Sequence, residues 1–375
     1  MLNKTYCPMP FMHIYNGSDG SYDICCHTRS HSSTSKKLRE KTVNDTLPFE
    51  HFMSQEMNNI REKFLKGEKV DACEGCYELE RYNGRSKRIE YIERHRQPTE
   101  PDRLVLKLRI FGNYCNLSCY MCHPFNSSTR TNELIRLGET NQRDQWRFED
   151  NMKFTKVSFE QVEKNILDNI HKVDWIQITG GEPLQSLRMY KFLEKIPKEY
   201  SNIKIGFTSN MTKTEWKNKS LDDILKKFTN VGIKVSCDHY DEKLAYIRWP
   251  IDVDEFYDNI FKYKKICKIS PTISVLNVAD LDDITNFYTE EFDMETFYET
   301  ASIVNSPTCL TPANHYDRIN LVKRYKNRDE YQHAYAYMTS ERWLKNRDAQ
   351  RKYMFKYLDK LTPTRGDWRD LWNVI

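Results

Sequence analysis

Residues 104–122 read Leu-Val-Leu-Lys-Leu-Arg-Ile-Phe-Gly-Asn-Tyr-Cys-Asn-Leu-Ser-Cys-Tyr-Met-Cys. The first seven, Leu104–Ile110, form an apolar-rich run of strand length. Gly112 and Asn113 interrupt it, and Cys115, Cys119 and Cys122 follow as three thiols within eight residues. A loop with thiols at this density can wrap one metal centre, and the run before it predicts that the loop starts at a strand end.

Outward from this stretch, apolar runs recur at Val173–Thr179, Ile203–Thr208, Val231–Ser236, Ile269–Leu276 and, more weakly, Thr300–Val304. With Leu104–Ile110 they predict six strands. Between them Phe159–His171, Leu187–Ile196, Leu221–Phe228 and Val253–Cys267 carry apolar residues at spacings of three and four, the pattern of amphipathic helices. Repeated βα units imply right-handed crossovers and a parallel sheet. The expected organisation is therefore an α/β core over residues 103–310, preceded by a small cysteine-punctuated domain over 1–102. Residues 311–375 read as helix, with Tyr353, Met354, Tyr357, Leu358 and Leu361 at helical spacing and turn-like Thr362–Pro363 and Arg365–Gly366 near the end. That segment is expected to pack one face on the core and solvate a basic one, with nucleic-acid contact as the alternative.

A net charge of +4 is small against 58 basic and 54 acidic side chains, so composition does not announce a nucleic-acid partner. No apolar run approaches the length of a membrane span, and Met1–Pro10 lacks the apolar stretch of a secretory signal. The expectation is a cytoplasmic protein with no membrane partner. In a reducing compartment eleven cysteines are metal ligands or core residues rather than a disulfide framework.

Three thiolates on a [4Fe–4S] cube leave one iron without a protein ligand, and an open coordination position marks a catalytic metal site. Zinc is the alternative, with His123 or a distant cysteine as fourth ligand. The spacing C-x3-C-x2-C resembles the signature of the radical S-adenosylmethionine (SAM) superfamily. That resemblance implies a partial (βα)6 TIM-like barrel, with a cluster on Cys115, Cys119 and Cys122 whose open iron binds SAM. It also implies reductive cleavage to a 5′-deoxyadenosyl radical, hydrogen abstraction from substrate, and a flavodoxin- or ferredoxin-like electron donor. Gly180-Gly181-Glu182-Pro183 resembles the family's GGE motif: the glycines let backbone approach the methionine end of SAM, and Glu182 accepts from its ammonium group. Ser209 and Asn210 stand where related enzymes place polar groups near the ribose or carboxylate of SAM. Ser236-Cys237-Asp238 with Arg248 resembles a segment of peptide-modifying members in which the arginine pairs with SAM's carboxylate, although a surface salt bridge would equally explain Arg248. Asn277, ending the fifth run, stands either near the adenine or, the better reading, as a structural cap. Met121 occupies a position that is aromatic in many members and packs by the adenine, so a soft thioether is expected there instead.

A second set, Cys7, Gly20 and Cys25 followed by Cys73-Glu74-Gly75-Cys76, resembles the opening of a SPASM domain. Without the remaining cysteines of that module, the shorter twitch domain with one auxiliary [4Fe–4S] cluster on Cys7, Cys25, Cys73 and Cys76 fits better. Here the module precedes the core, whereas the family usually places it after. Zinc would suit the same four thiols, and Cys26 could replace Cys25. Cys237, Cys267 and Cys309 read as buried apolar residues. Because such modules accompany enzymes that modify peptides, the resemblance favours a peptide or protein substrate over a nucleotide, sugar or other small molecule. A non-catalytic zinc or iron–sulfur binding module is the rival class.

Overall fold

In the computed structural model, which describes residues 4–81, 85–95, 97–139, 156–298, 303–304 and 308–373, the apolar runs become strands. In chain order these are β1 His13–Asn16, β2 Tyr22–Asp23, β3 Leu104–Leu108, β4 Val173–Ile178, β5 Lys204–Ser209, β6 Glu215–Trp216, β7 Lys219–Ser220, β8 Val231–Ser236 and β9 Cys267–Ser270. The chain divides into two compact units. The first is Met1–Asn113, Glu149–Thr208 and Glu215–Gly232; the second is Tyr114–Phe148, Ser209–Thr214 and Ile233–Ile375.

Within the first unit β1, β3, β4 and β5 lie side by side and parallel, with registers such as His13↔Val105, Leu106↔Ile176 and Ile176↔Ile205. β2 adds an antiparallel edge, Tyr15 opposite Asp23. Near-continuous burial of β3, where only Lys107 is partly exposed, is what a strand inside a parallel sheet requires. The helix Phe159–Asp168 opens with a capping box between Ser158 and Gln161, and Leu187–Lys195 is capped by Ser186, so each crossover helix begins where its polar cap sits. Tyr6, Cys7, Phe11, Ile24, Cys25, Phe64, Cys73 and Val105 share one apolar core of this unit. β1 thus belongs to the sheet of β3, although it comes from the cysteine-punctuated segment.

Within the second unit Ile233–Ser236 of β8 pair in parallel with β9. The mostly parallel α/β expectation holds, with two differences in detail. β9 covers Cys267–Ser270 rather than Ile269–Leu276, because Pro271 has no N–H to continue the ladder. Thr300–Val304 contributes an isolated parallel bridge, Ile303 to Ile273, while residues 300–302 lie outside the described residues. The last segment is helical, as Arg318–Tyr325, Gln332–Thr339, Glu341–Leu344 and Arg347–Arg365. Met354, Tyr357, Leu358 and Leu361 are buried in the core of this unit, while Tyr353 is exposed. Thr362–Pro363 is not a turn: the helix runs on to Arg365, and Gly366, at φ +84°, ends it. Among the described residues, no helix is long and apolar enough to cross a membrane.

Candidate functional site

In the second unit the three cysteines of the 115–122 loop come together. Cys115, Leu117 and Cys119 form a small buried apolar cluster on which Met121, Cys122 and Ile251 pack. N–H donors point at two of the sulfurs. Leu117 N and Asn210 Nδ2 donate to Cys115 Sγ at 3.5 and 3.7 Å, and Arg248 Nη1 donates to Cys119 Sγ at 3.6 Å. The Cys122 thiol donates to the His123 carbonyl at 3.6 Å, and His123 Nδ1 is engaged by Phe125 N at 3.3 Å.

Asn210 is fixed by a local ring of amides that sequence reasoning did not single out. Its Nδ2 donates to Asn116 Oδ1 at 3.1 Å, Asn116 Nδ2 donates to Thr212 Oγ1 at 2.9 Å, and Thr212 Oγ1 donates back to Asn210 Oδ1 at 2.7 Å. The loop after β5 is thereby tied to the interior of the cysteine loop. Ser209 turns that corner, its Oγ accepting from Met211 N at 3.0 Å.

Arg248 is buried rather than part of a surface salt bridge. It pairs with Asp238 at 2.7 Å, the two side chains being 6% and 0% exposed. Asp238 Oδ1 also accepts from Thr272 N at 2.6 Å. Burial works against the Arg248 charge, but Asp238, with Cys119 next, holds its proton firmly on. Burial also raises the Cys119 thiol, with Arg248 the foremost opposing influence. Arg248 Nε is buried with no hydrogen-bond partner among the described residues, a donor left over for a polar ligand. Asn277 is structural, as expected: its side chain bonds Ser274 N, Asp238 O and Thr272 O at 2.7, 2.9 and 3.1 Å. Cys237, Cys267 and Cys309 are buried, also as expected.

In the first unit, the glycine pair follows β4. Gly180 and Gly181 have φ of +98° and +58°, so the backbone conformation itself calls for glycine. A Cβ on Gly180 would find only ordinary contacts, the nearest being Arg109 carbons at 3.6 Å. Glu182, buried, caps the turn Pro183–Gln185 by accepting from Leu184 N at 3.1 Å, and Pro183 takes the first position of that turn.

The second cysteine set also lies in the first unit. Cys7, Cys25 and Cys73 are buried in its apolar core and Cys76 is half-buried. Burial, then the charges of Cys26, Cys73, Cys76 and Cys7, drive the Cys25 thiol well above its ordinary value. Burial and Cys76 push Cys7 up to about 12. Cys26 goes the other way: burial raises it, but Lys107, whose Nζ donates to its sulfur at 3.4 Å, and His27 outweigh burial. Among the described residues no three His, Cys, Asp or Glu side chains are disposed to hold a single metal ion. His27 N donates to Cys25 Sγ at 3.4 Å, and thiols in apolar surroundings with N–H groups on the sulfurs of Cys25, Cys115 and Cys119 are a donor set that fits an iron–sulfur centre.

Residues 110–289 match the family model described as the Radical SAM superfamily. No curated protein sequence matches the chain. Similar solved structures include native anSMEcpe with bound AdoMet, 16% identical with a TM-score of 0.36, covering 52% of this chain and 50% of that one. Another is Streptococcus suis SuiB bound to precursor peptide SuiA, 16% identical with a TM-score of 0.34, covering 75% and 51%. The chain spans about half the length of these proteins. The family implies a [4Fe–4S] cluster and SAM. The cysteine loop, the glycine pair, Asp238 and Arg248 all fall inside the stretch, residues 110–289, that matches the radical SAM superfamily model.

Proposed function

We propose that this protein is a radical SAM enzyme whose SAM-cleaving [4Fe–4S] cluster is held by Cys115, Cys119 and Cys122. The observation that carries the reading is the convergence of these cysteines in one apolar cluster, with amide and guanidinium donors on two of the sulfurs. When bound, the cluster and SAM supply an electron and a carbon-centred radical that removes hydrogen from substrate. The chain's own residues bind and orient. Hydrogen bonds from Asn210 and Arg248 reach the Cys115 and Cys119 sulfurs, where they would offset the negative charge of sulfurs that ligate iron. Gly180, Gly181 and Glu182 receive the amino end of SAM, Ser209 lies near the ribose or carboxylate, and Met121 offers an apolar surface to the adenine. Arg248, anchored by Asp238, has Nε left for the carboxylate.

An auxiliary [4Fe–4S] cluster on Cys7, Cys25, Cys73 and Cys76 completes the proposal, in a twitch-like region of residues 1–102. What supports it is the packing of Cys7, Cys25 and Cys73 in one apolar cluster, with half-buried Cys76 three residues beyond Cys73. The substrate is a peptide or protein, with electrons from a flavodoxin- or ferredoxin-like donor in the cytoplasm. The test is anaerobic incubation of the reconstituted protein with SAM, reductant and candidate substrates. A rise in 5′-deoxyadenosine on adding peptides supports the reading, and a rise only with nucleotides or sugars replaces the substrate class. Stoichiometric zinc without charge-transfer absorption returns the protein to a binding module.

A further inference from the structure

The cysteine loop is held by buried charges that binding a cluster does not itself require. Ser118, between Cys115 and Cys119, is bound at three atoms. Its N donates to Trp249 O at 2.6 Å, its Oγ donates to Glu133 Oε2 at 2.6 Å, and its carbonyl accepts from Arg365 Nη2 at 2.5 Å. Glu133 takes two arginines, Arg365 at 2.6 Å and Arg130 from its own helix Ser128–Arg136. Arg130 Nη2 in turn donates to Tyr120 O at 2.7 Å. The carbonyls on either side of Cys119 thus each hang on an arginine, and both arginines are tied to one carboxylate. Arg365 is the last residue of the helix Arg347–Arg365, and its Nη1 also donates to Tyr246 O at 3.0 Å.

Two guanidinium groups against one carboxylate leave a net positive charge beside a loop that becomes anionic when its thiols ligate iron. A buried ion cluster serving stability alone is replaceable by apolar side chains. Here the guanidinium forks are directed at the peptide groups that set the direction of the Cys119 side chain. We propose that Arg365 is a positioning residue for the Cys115–Cys119–Cys122 centre: it locks the Ser118 peptide and contributes positive charge next to the ligating sulfurs. The last helix is thereby part of the cluster site. This rests on the iron–sulfur reading of those three cysteines.

The test reconstitutes full-length Arg365→Gln and Arg365→Lys beside the parent, anaerobically. The intensity and midpoint potential of the EPR signal that responds to SAM are measured, with circular dichroism as the check on folding. Gln removes the charge and the fork, so the signal per chain should fall several-fold and its potential should move negative. Lys restores the charge but presents a point donor in place of a planar fork. It should restore the potential and recover only part of the intensity. A folded Gln variant with parental intensity and potential overturns the proposal. If the Gln variant does not fold, Lys decides: folded protein with reduced intensity supports the proposal, and parental intensity overturns it. Failure of both to fold assigns Arg365 to the stability of the whole unit and overturns it too. A parent with no SAM-responsive signal instead refutes the underlying cluster reading.

Discussion

Replacing Arg248 by Met tests the buried pair that anchors the site. Its partner, Asp238, is 0% exposed and would keep its hydrogen bond from Thr272 N but lose its cation. Leaving a carboxylate uncompensated in the interior costs about 3–5 kcal/mol, whereas losing one partner of an exposed pair costs about 0–1 kcal/mol. Arg248→Met should therefore shift the urea midpoint of the cluster-free protein strongly, with an unchanged m value. Asp238→Asn keeps the acceptor for Thr272 N and removes the charge. In the double variant the orphaned carboxylate is gone, so its loss should be smaller than the sum of the singles by about 2 kcal/mol. Circular dichroism and tryptophan fluorescence along the urea series give all four stabilities. A loss of under about 1 kcal/mol in Arg248→Met, with an additive double variant, would refute the claim that this pair is a buried anchor.

Glu182→Gln keeps the cap on Leu184 N but removes the charge proposed to receive SAM's ammonium group, so SAM affinity should weaken about tenfold in equilibrium dialysis; parental affinity would withdraw that role. Replacing Cys73 and Cys76 together by Ala should lower the iron content from about eight to about four per chain, spare SAM cleavage and impair substrate turnover. Full iron content and full turnover would end the auxiliary-cluster assignment. Burial pushes His13 down to about 3 and His51 and His315 down to about 4. All three stay neutral in the fold while the unfolded chain takes up protons from about pH 6.5 downward, so their contribution is complete above that pH and lost as pH falls towards 4. Each can cost up to about 1.4 kcal/mol per pH unit, and urea midpoints of cluster-free protein at pH 7.5, 6 and 5 should fall in that order. A flat profile contradicts the burial of these rings.

The cysteine loop and the crossover units were legible because they rest on local signals: a strand-length apolar run, a tight thiol spacing and helical periodicity. β1 was not, since His13-Ile14-Tyr15-Asn16 is short and mixed, and becomes a strand only by pairing with β3. Pro271 inside the run Ile269–Leu276 was an available signal for the end of β9. Pro363 misled in the other direction. The final turn it would weaken is secured by the bonds of Arg365 to Glu133 and Ser118. Arg130 and Glu133 stand at i, i+3 spacing and were not singled out in the sequence, because their burial and their link to Arg365, far along the chain, are tertiary facts. Likewise Arg248 carried the right chemistry in the sequence, and only the fold shows it buried against Asp238 and Cys119.

The most direct test of the central claim is product analysis after anaerobic incubation of the reconstituted protein with SAM and dithionite. The account predicts 5′-deoxyadenosine and methionine from the parent and neither from Cys119→Ala, whose remaining two thiols in the loop cannot complete the ligand set. Parent protein that carries a full cluster yet leaves SAM intact, or a Cys119→Ala variant that cleaves it at the parental rate, would contradict the account.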